Sequence, residues 1–540
     1  MSHLICRTRR WIILCPLLLA LGCVRGKTYR GSIPVEEVSP QPLFPSDADQ
    51  LPPGPPCNAH KAADFHGACI AYIEFDDLGE LRSRDANGRA TQVGGALDLI
   101  KAAETDENPN ERTQPVIMVF VHGWKHNASA GPPEDANVQG VKDFLNMLQA
   151  HYPEQYIDNK GNSCSAAANA GCLLLRHPVL GVYIGWRGNS VPEIFPITQT
   201  LSYFGRQNVA YRVGNTSLTD TLSQISELAH PDGSGTDPYQ PFLLMMGHSF
   251  GGLVLERTLA QAFMQRMAIV NEQRSRGIPA QFAKASFADL IVYVNTAVVA
   301  ADSKQVIDQF AQNQVKSNGA PDGKRYPFIV SISSTTDQAT VTAVGIGHAL
   351  PTLGMKLTGS LRSHVPLVCY EPEASPERPT NSVITDFSQG DFFMRTAPHF
   401  EVMQSHELIK VRGDQCTRRA GLLDDPAVFP IQTGNNLSEV GQEKLRERVK
   451  LDSFGPTDKL GGACYLVVPK NSQSVDSPRC NGTPYFVMEV PPEIIPDHGT
   501  IFTQRFFTLL SVFLQPVAQT ANDPTRPQQG VIVKRSFTMR

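Results

Sequence analysis

From residue 69 onward the chain alternates short apolar runs with longer stretches whose apolar residues recur every three or four positions. CIAYIEFD (69–76), VIMVFVHG (116–123), VLGVYIGWRG (179–188), FLLMMGHS (242–249), LIVYVNTAVV (290–299), PFIVSISSTTD (327–337) and YFVMEV (485–490) read as strands. Most of these runs are continuous rather than alternating, the pattern of strands covered on both faces. DANVQGVKDFLNMLQAHY (135–152), a stretch ending near 229, LVLERTLAQAFMQRMAIVNEQ (253–273) and TIFTQRFFTLLSVFL (500–514) read as helices. Strand–helix alternation at this spacing predicts an α/β fold, a doubly wound and mostly parallel sheet with helices on both faces. Ligands bind such sheets at the carboxyl ends of the strands.

The alternation fails between 345 and 483, a stretch rich in Pro, Gly and charge. It reads as an insertion before the last strand, a candidate cap over a site. Residues 34–56 hold eight prolines and read as an extended spacer that forms neither ladder nor helix. The expected organisation is a signal peptide (1–22), a tether (23–60), a core (61–344), an insertion (345–483), the last strand and helix (484–516) and a frayed polar tail (517–540).

The leader carries three arginines in MSHLICRTRR, then the uncharged WIILCPLLLALGC. That order marks an exported chain, and the apolar stretch is short for a membrane span, which takes about 20 residues. Leu19-Ala20-Leu21-Gly22-Cys23 resembles the lipobox of bacterial lipoproteins, which implies lipidation of Cys23 and a membrane-anchored protein of the periplasm or cell surface. Plain secretion is the alternative. Beyond the leader stand eight cysteines, an even number that favours disulfides in an exported chain. Neighbours pair as Cys57–Cys69, Cys164–Cys172, Cys369–Cys416 and Cys464–Cys480. No Cys or His set has metal-site spacing. A net charge of -4 gives no electrostatic case for nucleic acid.

The chemistry centres on Gly247-His248-Ser249-Phe250-Gly251, between a strand and a helix. This is G-x-S-x-G, a sharp turn that lifts a serine hydroxyl above a helix N-terminus. A serine needs a base to take its proton, and the base needs a carboxylate to hold it. Asp337 ends the strand at 327–337 and His498 follows the last strand, so the order is Ser, Asp, His. Asp302 is a rival acid. Asp497 reads as a helix N-cap. His364 and His399 lie in the insertion and read as surface or structural residues, and His248 reads as packing away from the site. An oxyanion needs preorganised donors. Phe250 N–H follows the nucleophile, and Gly123 in VFVHGWKHN (119–127) lets the chain aim Trp124 N–H at it. His122 there suits loop bracing better than base catalysis. LSYFGRQNVAY (201–211) reads either as an acyl-groove wall or as an ordinary amphipathic helix.

GHSFGG and VFVHGW, with Asp337 and His498, resemble the α/β-hydrolase superfamily, in particular its bacterial esterase- and lipase-like members. The likeness spans roughly 110–340 and 484–515. It implies an eight-stranded, mostly parallel sheet, the triad Ser249, Asp337 and His498, and no cofactor. The expected activity is cleavage of a small-molecule or lipid ester through an acyl-enzyme. Amidase, thioesterase or acyltransferase activity on the same triad is an alternative. So is a non-catalytic surface lipoprotein that uses the fold for binding.

Overall fold

The computed structural model describes residues 29–30, 35–38 and 57, most of 67–340, then 398–399, 405–411, 429–432, 464–469 and 485–521. Within 67–340 the exceptions are 85–87, 89, 105–109, 132, 153, 158–163, 165–171, 189–195, 231–239, 277–286, 313–317, 320–324 and 338. The leader with Cys23, the tail from 522, His364, Cys369, Cys416 and Cys480 lie outside the described residues.

The first elements are β1 (Val35–Glu37), β2 (Cys69–Glu74), α1 (Thr91–Glu104), β3 (Glu111–Thr113), β4 (Val116–Val121), α2 (Ala136–His151), β5 (Gln155–Ile157), β6 (Leu173–Arg176) and β7 (Val179–Gly185). Next come α3 (Pro196–Gly214), α4 (Ser217–Ala229), β8 (Phe242–His248), α5 (Phe250–Ser275), β9 (Leu290–Val294), α6 (Ala300–Gln312), β10 (Asn318–Gly319), β11 (Arg325–Tyr326) and β12 (Ile329–Ser334). The last are β13 (His406–Val411), β14 (Phe429–Gln432), β15 (Cys464–Pro469), β16 (Tyr485–Val490) and α7 (Gln504–Ala521).

The molecule is built on an eight-stranded sheet in the order β1-β2-β7-β4-β8-β9-β12-β16. Every pairing is parallel except that of β1 with β2. Strands β2, β4, β7, β8, β9 and β12 are buried at every position, which is why β4, β7 and β9 are continuous apolar runs, while β12 buries three serines and β2 ends on the buried Glu74. Alternate residues still choose opposite faces. Ile117, Val119 and Val121 of β4 join one core with Leu99 of α1, Val213 of α3, Leu222 of α4, Leu253 of α5 and Phe310 of α6. Val116, Met118 and Phe120 join the other, with Phe144 of α2 and Phe506, Leu510 and Phe513 of α7.

The structure departs from the sequence reading in several places. Val35–Glu37, inside the expected spacer, pairs with β2, because no proline stands between Val35 and Val38. The stretch before 229 is two helices, α3 and α4, and α7 runs past the expected end at 514 to Ala521. Most strands stop two to five residues early, at the turns that carry candidate site residues. A small sheet in the order β3-β6-β5 was not anticipated, its strands being too short to show a period.

Cys57 and Cys69 form a disulfide, as do Cys164 and Cys172. Cys464 opens β15, and its expected partner is outside the described residues. The described pieces of the insertion lie against the sheet's β16 edge, with Leu408 of β13 packed on the α2/α7 core and β14 against α7, while His399 N–H donates to Val298 O on the α5/α6 side. Ser405 N–H donates to Val487 O, Val487 N–H donates to Ser405 Oγ, and the His406 ring stacks on Phe486. His399 is fully buried, with Nε2 bonded to Ser331 Oγ.

Candidate active site

Ser249 follows the last residue of β8 with φ of 55°, in the left-handed region that non-glycine residues rarely adopt. Such a conformation costs on the order of 1–3 kcal/mol and persists only where neighbours fix it. Here they do. Ser249 N–H donates to Val294 O at the end of β9, and Ser249 O accepts the N–H groups of Gly252, Leu253 and Ala297. The flanking glycines answer to close approach. A Cβ on Gly251 would stand 1.9 Å from Val121 O, and one on Gly247 2.7 Å from Gly251 O.

The hydroxyl so presented meets a histidine. Ser249 Oγ lies 2.9 Å from His498 Nε2, and His498 Nδ1 lies 2.9 Å from Asp337 Oδ1. The Asp337 carboxylate only accepts, so Nδ1 carries the proton and the Nε2 lone pair faces the serine O–H. Ser249 and Asp337 are buried, whereas the His498 side chain keeps 28% of its exposure. The arrangement therefore opens to solvent at the histidine. Asp337 is held in turn by Thr340, whose N–H donates to Oδ1 at 3.0 Å and whose hydroxyl donates to Oδ2. The same hydroxyl lies 3.1 Å from His498 Nδ1.

Phe250 follows the serine in the chain, and Gly123, next to Trp124, packs against it. A Cβ on Gly123 would stand 2.7 Å from Ser249 Cβ, so the loop carrying Trp124 runs directly over the nucleophile. Phe250 begins α5, whose first N–H groups have no intrahelical acceptor. Tyr203 of α3 ties the two together, its ring 5.5 Å from that of Trp124 and 4.8 Å from that of Phe250. The segment 201–211 thus supplies an aromatic brace behind both candidate oxyanion donors.

The other sequence candidates fall elsewhere. Asp302 pairs with Arg257 Nη2 at 2.8 Å, away from His498. Asp497 is not the expected helix N-cap. Its Oδ1 accepts the N–H groups of Gly499 and Thr500, closing a turn, while Thr503 Oγ1 caps α7 through Phe506 N–H. His122 is fully buried. Its Nδ1–H donates to Gly123 O and its Nε2 accepts Trp186 N–H, which braces the Trp124 loop. Burial, the largest cause, pushes His122 down to about 4, so the ring is neutral at pH 7. His248 is buried but does not merely pack, for its Nε2–H donates to His498 O at 2.7 Å. Burial, then the nearby His498, holds it well below the usual histidine range.

Thr340 and Asn295 were not anticipated. Nothing local marks Thr340, three residues past an aspartate. Asn295 follows a strand in a polar-apolar run and gives no more than a turn signal. Among the described residues no group of three or more His, Cys, Asp or Glu side chains is placed to hold a metal ion. Among them, too, no helix is long and apolar enough to cross a membrane. No family model matches the chain, and no curated protein or solved structure matches it either.

Proposed function

We propose that the chain is a serine hydrolase of the α/β-hydrolase type that cleaves carboxylic esters through an acyl-enzyme. The observation that carries this reading is the unbroken chain of hydrogen bonds from Ser249 through His498 to Asp337, with the serine at a left-handed turn above a helix start. Ser249 Oγ attacks the ester carbonyl carbon as its proton passes to His498 Nε2. The carbonyl oxygen becomes an oxyanion, which the N–H groups of Phe250 and Trp124 receive. His498 then gives its proton to the departing alkoxide, and the alcohol leaves. Water, deprotonated by His498, attacks the acyl carbon, and His498 returns that proton to Ser249 Oγ as the acyl C–O bond breaks and the carboxylic acid leaves. Asp337 keeps Nδ1 protonated and stabilises the imidazolium between these steps.

Export belongs to the same proposal, resting on the leader and supported by the two cysteine pairs at disulfide distance. Lipidation at Cys23 would tether the domain and bring it to small-molecule or lipid esters at a membrane. The test is turnover of a p-nitrophenyl ester series by the purified soluble domain, with an alcohol added to expose acyl transfer. Hydrolysis by the wild type, lost in Ser249→Ala, is the expected result. Equal turnover by the two proteins contradicts the reading.

A further inference from the structure

His498 lies in the segment between β16 and α7, which belongs to no ladder. What holds it is a row of side chains from the strand ends below. Ser334 Oγ donates to Ile495 O at 2.6 Å and Thr336 Oγ1 to Pro496 O at 2.8 Å. Asn295 Nδ2 donates to Asp497 O at 3.1 Å and to His498 O at 3.0 Å. His248 Nε2–H is the second donor to His498 O. Four consecutive carbonyls thus point inward, each onto a side-chain donor.

Asn295 differs from the rest of that row in reaching every part of the triad. Its Oδ1 accepts Ser334 N–H at 2.8 Å, at the end of the strand that leads to Asp337. Its backbone O lies 3.2 Å from the hydroxyl of Thr340, the same hydroxyl that donates to Asp337. Its neighbours Val294 and Ala297 bond the backbone of Ser249. The amide has one usable orientation. Turned over, it would set oxygen against two carbonyl oxygens and NH₂ against an N–H. The backbone is left-handed here, with φ of 45°, a region asparagine tolerates better than most side chains. Asn295 is wholly buried and carries no charge.

We infer that Asn295 is a positioning residue, whose amide sets His498 against Ser249 and Asp337; this rests on the proposed hydrolase reading. The residue touches neither substrate nor the reacting atoms. It acts through the backbone of the histidine segment, where a displacement near 1 Å lowers rates by about 100-fold.

Two substitutions separate the amide from the backbone. Asn295→Gly keeps the left-handed turn and removes the amide. Asn295→Asp keeps the shape and presents an acceptor where two carbonyls need a donor. Each full-length variant is compared with the wild type in the rate of fluorophosphonate labelling at Ser249, in kcat and KM for p-nitrophenyl butyrate, and across pH. Both variants are expected to label and turn over about 10- to 100-fold more slowly, with KM little changed. In Asn295→Asp the acidic limb of the labelling profile should move to higher pH, because a carboxylate there favours protonated His498. The ionisable groups already around His498 are Asp337, Asp497 and the neutral His248. A folded variant with the wild-type rate and profile overturns the inference. So does loss of fold in both variants, which would assign Asn295 to core stability instead. A wild type that never labels sinks the hydrolase reading, whereas labelling unaffected by either substitution sinks only the role of Asn295.

Discussion

Ser249 and His498, 249 residues apart in the chain, stand 2.9 Å apart in the fold. Parallel strands bring this about. β8 and β16 end at the same edge of one sheet, and the segments that leave them turn towards each other over β9 and β12. Asp337, leaving β12, completes the contact from below. The candidate site is thereby placed at the carboxyl ends of the strands, where open α/β sheets carry their sites.

Asp337→Asn leaves the shape of the site but removes the charge that fixes the His498 tautomer. Turnover of short esters should fall by on the order of 10⁴-fold with the fold intact. Equal turnover in steady-state assays would remove Asp337 from the triad.

Thr340 makes a finer prediction. Thr340→Val deletes the hydroxyl that bonds Asp337 Oδ2 and lies beside His498 Nδ1. It should slow turnover by roughly tenfold, the weight of about one hydrogen bond to a charged group. Thr340→Ser should restore most of the rate. A valine variant as fast as the wild type would make Thr340 a bystander.

Gly123→Ala and Gly251→Ala should differ in kind. The first sets a methyl 2.7 Å from Ser249 Cβ and 2.9 Å from His248 O, so it should abolish labelling of Ser249. The second drives a methyl into the β4 backbone at Val121 O. Overpacking of this kind costs about 1–3 kcal/mol or more, so Gly251→Ala should also lower the melting temperature. Two variants that label and melt like the wild type would contradict the packing described for the turn.

Glu256 predicts a pH effect on stability that is separate from catalysis. It is buried in α5 beside Tyr293, Tyr485, Ser303, Asp302 and Arg257, and burial, the largest cause, raises it from 4.5 to about 7. A raised carboxyl favours folding fully below its unfolded value of 4.5, and that contribution is lost as pH rises through 7. Glu256→Gln should therefore match the wild type near pH 4.5 and exceed it at pH 8, by up to about 3 kcal/mol. Denaturant titrations at the two pH values check this. A difference independent of pH would contradict it.

The sequence carried the sheet because its central strands are buried on both faces and so lose their polar positions. It carried Ser249 because the turn that presents a serine needs glycine on both sides, and Gly247 and Gly251 stand there. Asp337 and His498 were legible only by their places after strands. Asn295 and Thr340 were not legible. What sets them apart is hydrogen bonds to segments 203 and 158 residues away, and no local period records such contacts. Asp497 misled for a related reason, since a capping residue before a helix looks the same whether it closes a turn or starts the helix. The pairing of β1 was hidden by the prolines around it.

The most direct test of the account is reaction of the folded soluble domain with a fluorophosphonate probe, followed by peptide mapping. The account predicts a single modified residue, Ser249, and loss of labelling in His498→Ala. A folded protein that stays unlabelled, or that is labelled at another residue, would contradict it.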